Sequence, residues 1–136
     1  MLAYHFQNEN MKSNGERKPW KIGETRRMKK SVVKMCVRGY HSSPTPADAA
    51  FYGGSRYWLT LVDVSFPVTD EGDKFVSARR TLLARVKVSS LMAEIQKELK
   101  TKEFYFSVRQ FAHKNRTIFN EIAIRMLEEE RNKNEN

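Results

Sequence analysis

Between positions 79 and 88 the chain alternates. Leu82, Ala84, Val86 and Val88 fall on one side, and Thr81, Leu83, Arg85 and Lys87 on the other. A period of two belongs to a strand with one face in a core, here with a basic outer face. Ser89 and Ser90 follow as candidate helix caps. Leu91, Met92, Ile95 and Leu99 then make one apolar stripe, which predicts a short helix. Lys97, Lys100 and Lys102 suit its C-terminal end. Positions 103–111 alternate again and are rich in aromatics, so a strand is expected there, followed by a polar turn over 112–116. Over 117–126 two periods compete. Ile118, Ile122, Ile124 and Met126 suit a strand; Phe119, Ile122, Ala123 and Met126 suit a helix. The expectation adopted is a strand passing into a short helix or tail at Leu127.

Upstream, residues 57–68 carry apolar side chains on both faces, which predicts a central strand ended by Pro67. Residues 69–73 read as a hairpin turn, and Phe75 leads into the strand at 79–88. Residues 31–40 predict a first strand, with Val33, Met35 and Val37 alternating against Lys34, Cys36 and Arg38, and a bend at Gly39. Residues 41–56 form a long loop holding Pro44, Pro46, Gly53 and Gly54 beside Phe51, Tyr52 and Arg56. Residues 1–30 show no sustained period and read as a flexible basic arm; residues 128–136 read as a charged tail.

Charge sharpens this division. The 136 residues carry a net charge of +9, and residues 1–40 hold ten Lys or Arg against three Glu, so +7 of that total sits there. A basic arm points to an anionic polymer as partner, bound through counterion release. No apolar run reaches the roughly 18 residues of a membrane span. The arm lacks the apolar stretch of a secretory signal, although its Lys and Arg leave a mitochondrial presequence open. A single Cys36 fits a reducing, intracellular compartment and reads as a small buried strand residue.

The predicted order is strand, long loop, strand, turn, strand, helix, strand, turn, strand. A helix between the third and fourth of five strands is the connectivity of the OB-fold barrel. In layout, residues 31–127 resemble the bacterial-type single-stranded-DNA-binding proteins and their primosomal relatives. The resemblance lies in Val32-Val33-Lys34 leading to Val37 and Gly39, a Trp-bearing second strand, a hydrophobic-basic third strand, the Leu91–Ile95 helix pattern and an aromatic-rich hairpin. It covers no specific signature. The chain departs from that family in lacking an acidic, apolar-ended C-terminal tip and in carrying the basic arm.

The resemblance implies binding of single-stranded nucleic acid, with stacked bases and neutralised phosphates. The residues expected to carry it are Lys34, Arg38, Phe51, Tyr52, Arg56, Arg79, Arg80, Arg85, Lys87, Phe111, His113, Lys114 and Arg116. Trp58 is expected in the core rather than as a stacking platform. Partners beyond the strand are a homo-oligomer or a larger nucleoprotein complex, and neither a membrane nor a cofactor is implied. Catalysis is not expected. No Gly-rich phosphate loop, Ser-His-Asp pattern, paired carboxylates or zinc spacing appears, and His5, His41 and His113 lie far apart in sequence. Two other readings compete: a structural subunit of a ribonucleoprotein particle such as an organellar ribosome, and an OB-fold protein–protein adaptor.

Overall fold

The structure is a computed structural model, and it describes residues 1–13, 15–35, 38–52, 55–65, 68–100 and 107–135. Its described residues form a β scaffold of two antiparallel sheets backed by four α-helices. The first sheet has β1 (Leu2–Gln7), β4 (Trp58–Val64), β7 (Arg79–Lys87) and β2 (Thr25–Arg27), in the order β1-β4-β7-β2. The second has β3 (Tyr40–Ser42), β6 (Phe75–Ser77) and β5 (Val68–Asp70), in the order β3-β6-β5. The helices are α1 (Pro46–Ala49), α2 (Val88–Leu99), α3 (Val108–Lys114) and α4 (Arg116–Glu135). Among the described residues no closed barrel forms. Tyr4 and Ser43 exchange two backbone hydrogen bonds, each 2.8 Å, and so tie the edge of the first sheet to the end of β3.

Several expectations are overturned. Residues 1–30 are not a separate arm. β1 lies on the edge of the main sheet, registered from Leu2 opposite Asp63 to Gln7 opposite Trp58. Tyr4 and Phe6 enter one core, and Ala3, Met11 and Trp20 another. A short apolar alternation inside a polar, charged stretch is enough for an edge strand once a long neighbour offers its hydrogen bonds. Among the described residues of the predicted first strand, 31–40, the chain has a 3-10 turn at Lys30–Val32 and a bridge between Lys34 and Arg38, and strand pairing begins only at Tyr40. The loop over 41–56 contains β3 and α1. Thr45 caps α1 by accepting from the Asp48 N–H at 3.1 Å, and Pro46 starts it.

The C-terminal third differs most. Positions 108–111, expected as strand, open α3, where the Ser107 hydroxyl accepts from the Gln110 N–H at 3.1 Å. Residues 117–126 are helical throughout as part of the 20-residue α4, which also absorbs the expected tail. The 3.6-residue period wins because Phe119, Ile122, Ala123 and Leu127 form one stripe with a surface to cover. That surface holds Leu59, Leu61, Ala84 and Val86 of the main sheet, Ala47 and Ala50 of α1, and Leu91 and Ile95 of α2. Arg125 ties α4 to α2 through Glu98 at 2.9 Å and Glu94 at 3.4 Å. The expectations for Cys36, Val37, Gly53, Gly54, Phe66, Pro67 and positions 103–106 lie outside the described residues.

The strand expected at 57–68 is present over Trp58–Val64 as β4, while Val68 opens β5 of the second sheet. The strand expected at 79–88 is β7, which ends at Lys87. The turn expected at 69–73 is narrower, since Thr69 and Asp70 belong to β5, and the helix expected at 91–99 is α2. Two details change. α2 begins at Val88 with Lys87 at its cap position and no side-chain cap bond, so neither Ser89 nor Ser90 caps it. β7 also does not keep one parity. Leu61 pairs with Ala84 and Val62 with Leu82, so the register skips Leu83. One extra residue in a strand turns the pairs on either side to opposite faces. Ala84 and Val86 thus join the helix-covered core, while Leu82 joins a second core with Val62, Val64, Phe75, Met11 and Trp20. Arg80, two residues before Leu82, is carried to that second side. No helix among the described residues is long and apolar enough to cross a membrane.

Candidate functional site

The bulge sends Arg80 inward. Its side chain is 2% exposed. Nη1 donates to the His41 carbonyl at 2.9 Å and Nη2 to Ser13 Oγ at 3.3 Å. The guanidinium also lies 4.7 Å from the Trp20 ring centre and 5.3 Å from that of Tyr40. Burial lowers its pKa to about 10, an effect opposed by the charges of Glu16 and Tyr40, and it stays protonated at neutral pH. Among the described residues it makes no direct ion pair. Glu16 is near, but its carboxylate is used elsewhere. It accepts from Trp20 Nε1 at 2.7 Å, Arg26 Nη1 at 3.3 Å and the Ser13 N–H at 2.6 Å.

Arg80 forms part of the floor of a cleft of about 740 Å³ at the junction of the two sheets. β1 contributes Tyr4, His5 and Phe6; β3 contributes Tyr40, His41 and Ser42; the segment after β1 contributes Lys12, Ser13 and Glu16. Its described lining holds four cations, Lys12, Arg38, Lys74 and Arg80, against one carboxylate, Glu16. Clefts of about 300–1,000 Å³ are the usual size for small ligands and cofactors.

The titratable groups of the cleft are shifted by where they sit. His5 lies on β1 opposite Thr60, whose hydroxyl donates to the His5 carbonyl at 2.7 Å. Burial, then the charges of Arg80 and His41, hold its imidazole well below its ordinary pKa. Its Nε2 lies 2.6 Å from Ser13 Oγ. His41 is lowered too, chiefly by burial, and its Nδ1 donates to the Gly39 carbonyl at 3.2 Å. Burial raises the Tyr40 hydroxyl against the pull of Arg80. Ser42 Oγ is buried and has no hydrogen-bond partner among the described residues. A buried hydroxyl of that kind costs about 1–3 kcal/mol when left unsatisfied. No group of three or more His, Cys, Asp or Glu side chains placed to hold a metal occurs among the described residues.

The expected nucleic-acid residues do not gather in one place. Arg38, Tyr52 and Arg80 line the cleft. The Tyr52 hydroxyl donates to Asp73, which raises its pKa, and Lys74 Nζ sits 4.9 Å from its ring. Lys34 is exposed near Arg38, their backbones bridged by bonds of 2.6 and 2.9 Å. A second group forms on the helical side. Phe51 meets His113 edge-on at 5.7 Å and Arg109 at 5.2 Å. Arg56 donates to the Ala50 carbonyl at 2.9 Å, and burial followed by the charge of Arg109 lowers its pKa. Lys114 is exposed on α3. Arg116 is committed to Asp48 at 2.5 Å. Phe111 is fully buried beside Phe119 and belongs to the core, so it offers no stacking face.

A third group lies on the main sheet. Arg85 stands 4.1 Å and Lys87 5.8 Å from the Trp58 ring centre, with Tyr57 edge-on at 5.4 Å. Trp58 is half-buried, packed against the second core while its ring is also flanked by these cations. Arg79 reaches Asp63 at 4.0 Å. The cleft residues that pattern reading misses are Lys12, Ser13, Glu16 and Tyr40, with His5 and His41 visible only as scattered histidines. The available signal was the pair Tyr4 and Phe6 flanking His5, an alternation too short to outweigh the charged residues after it.

Residues 1–94 match the family model of a domain of unknown function, DUF7666, so the chain belongs to that family. The match spans both sheets and every element that lines the cleft, and stops within α2. No curated protein and no solved structure matches the chain.

Proposed function

We propose that this DUF7666 protein binds a nucleotide in the cleft between its two sheets, taken up free or as the end of a single strand. The observation that carries the reading is Arg80, a guanidinium 2% exposed and without a direct ion pair among the described residues. Taking an ion out of water costs several kcal/mol unless an opposite charge comes with it. An anion in the cleft supplies that charge. Lys12, Arg38 and Lys74 add to the same field at the rim. Tyr40 and Tyr52 make its lining aromatic, and the unsatisfied Ser42 hydroxyl offers a hydrogen bond. Phosphate with a planar ring is the ligand chemistry that uses all of these at once.

Trp20 reports on the site, because its ring lies against Arg80. The test is a titration of the full chain followed by tryptophan fluorescence and calorimetry, with a mononucleotide, a dinucleotide, oligo-dT and inorganic phosphate in separate arms. Saturable binding of the free nucleotides, weakened at least tenfold in Arg80→Met, supports the cleft. Binding of oligo-dT alone that is weakened in Arg80→Met assigns the site to a strand end. No response in any arm at low salt rejects the reading.

Binding along a single strand is the second reading, and Trp58 favours it. A half-buried ring flanked by Arg85 and Lys87 is a stacking platform beside phosphate neutralisers. It differs from the cleft in its salt dependence, which is steep for a strand contacted over several phosphates, and in being lost with Trp58→Ala rather than Arg80→Met.

A further inference from the structure

We propose that Ser13 and His5 form a nucleophile and general-base pair that cleaves a phosphodiester or phosphoanhydride of the bound nucleotide; this rests on the cleft reading above. Both residues line the cleft, and His5 Nε2 lies 2.6 Å from Ser13 Oγ. Arg80 Nη2 reaches the same oxygen at 3.3 Å. A serine oxygen has one hydrogen and two acceptor sites. Arg80 takes one acceptor site, and in the tautomer of His5 that carries its proton on Nδ1 the hydroxyl hydrogen points at Nε2. Nucleophile and base within hydrogen-bond reach, beside a fixed positive charge, is the arrangement that activates a hydroxyl. Burial, with the neighbouring charges of Arg80 and His41 behind it, keeps His5 neutral.

The remaining contacts fix the pair in place. The Ser13 N–H donates to Glu16 Oε1 at 2.6 Å, and Glu16 is itself held by Trp20 and Arg26. His5 sits on an edge strand whose backbone is paired with β4, and Thr60 secures its carbonyl. A hydroxyl on the segment after β1 is thereby held against an imidazole on β1 itself.

The step balances as follows. Ser13 Oγ bonds to phosphorus and its proton passes to His5 Nε2. The bond from phosphorus to the leaving oxygen breaks with its electron pair, and that oxygen takes the proton from Nε2. Water then attacks the phosphorylated serine and gives its proton to Nε2. The bond between Oγ and phosphorus breaks, and Oγ recovers a proton from Nε2. The net reaction is hydrolysis, with no oxidant or reductant. Arg80 faces the charge that grows on the non-bridging oxygens.

The test treats the full chain with a fluorophosphonate probe and maps the modified residue by mass spectrometry, alongside turnover of bis(4-nitrophenyl) phosphate. Labelling of Ser13 that is lost in Ser13→Ala and reduced at least tenfold in His5→Gln, with turnover falling at least 100-fold in Ser13→Ala, supports the pair. Thermal melts of both variants confirm that they are folded. The wild-type result needs no variant: Ser13 unlabelled at saturating probe overturns the proposal, as does equal labelling of Ser13 in a folded His5→Gln. Wild-type protein that binds nucleotide with Ser13 unlabelled fails the pair and leaves the cleft reading standing. Labelled Ser13 with no nucleotide response fails the cleft reading instead.

Discussion

The guanidinium of Arg80 lies 4.7 Å from the ring centre of Trp20 and thereby joins the longest strand to the N-terminal segment. Arg26 covers the same ring at 4.3 Å. One indole therefore carries two cations, and Glu16 ties the ring to Arg26. Arg80→Met keeps the apolar stem and removes the buried charge. Replacing a buried ion by an apolar side chain of similar volume is often neutral or stabilising. The expected change in unfolding free energy is under about 2 kcal/mol, the lost bond to the His41 carbonyl setting the upper end. The fluorescence response to nucleotide should fall at least tenfold. Urea unfolding and the titration check the two halves separately.

Acid should destabilise the fold. His5 and His41 both have pKa values below the ordinary imidazole value, chiefly through burial. The unfolded chain then binds more protons than the folded one as pH drops through about 6.5. Stability is full above that pH and declines toward the folded-state values of the two rings, at a rate of up to about 1.4 kcal/mol per histidine per pH unit. Thermal melts from pH 8 to pH 5 should show the midpoint falling below pH 6.5. In His5→Gln the fall should be shallower, and an unchanged profile would assign the decline to other groups.

α4 lies beyond the family match, yet it closes the larger core. Phe119 and Leu127 are fully buried, and Phe119 packs 6.3 Å from Phe111. Phe119→Ala should cost about 3–5 kcal/mol and Leu127→Ala about 2–5 kcal/mol by transfer plus cavity terms. Denaturant unfolding monitored by circular dichroism measures both. A cost below 1 kcal/mol in either variant would mean that the helix does not cover the sheet in solution.

Gly39 tests the geometry at the cleft mouth. Its φ is +133°, and a Cβ there would collide with Val76 Cγ2. Val76 is fully buried and cannot swing aside. Gly39→Ala therefore combines backbone strain with overpacking, each of order 1–3 kcal/mol. The melting midpoint should drop by several degrees, whereas Gly72→Ala, with open space around it, should suffer backbone strain alone.

Two short contacts at α1 should differ in worth. Arg116 meets Asp48 at 2.5 Å, but its side chain is 45% exposed. Exposed pairs contribute about 0–1 kcal/mol, so Arg116→Ala should have little effect. Thr45 caps α1, and Thr45→Ala should cost about 1 kcal/mol. Parallel unfolding curves decide whether the cap outranks the ion pair.

An apolar run on both faces sufficed for the strand at 58–64, local alternation for that at 79–87 and the apolar stripe from Leu91 to Leu99 for the helix, because these elements carry enough apolar residues in register to commit to one backbone form by themselves. The charge excess was equally plain in the composition. The barrel was not reached, and the reason is particular. At 117–126 Ile122 and Met126 fit both a period of two and one of 3.6, and the choice falls to whichever neighbour has surface to bury. The sheet and α2 offered a broad apolar face, so the helix formed. At 2–7 the deciding factor was a free edge on β4, which no local window contains. At Leu83 one unpaired residue, set by the pairing of β4 with β7, sent Leu82 and Arg80 to one side and Ala84 and Val86 to the other. The cleft exists because of those long-range pairings: His5, Ser13, His41 and Arg80 are spread over 76 positions of chain, and only the meeting of two sheets brings them within reach of a single ligand.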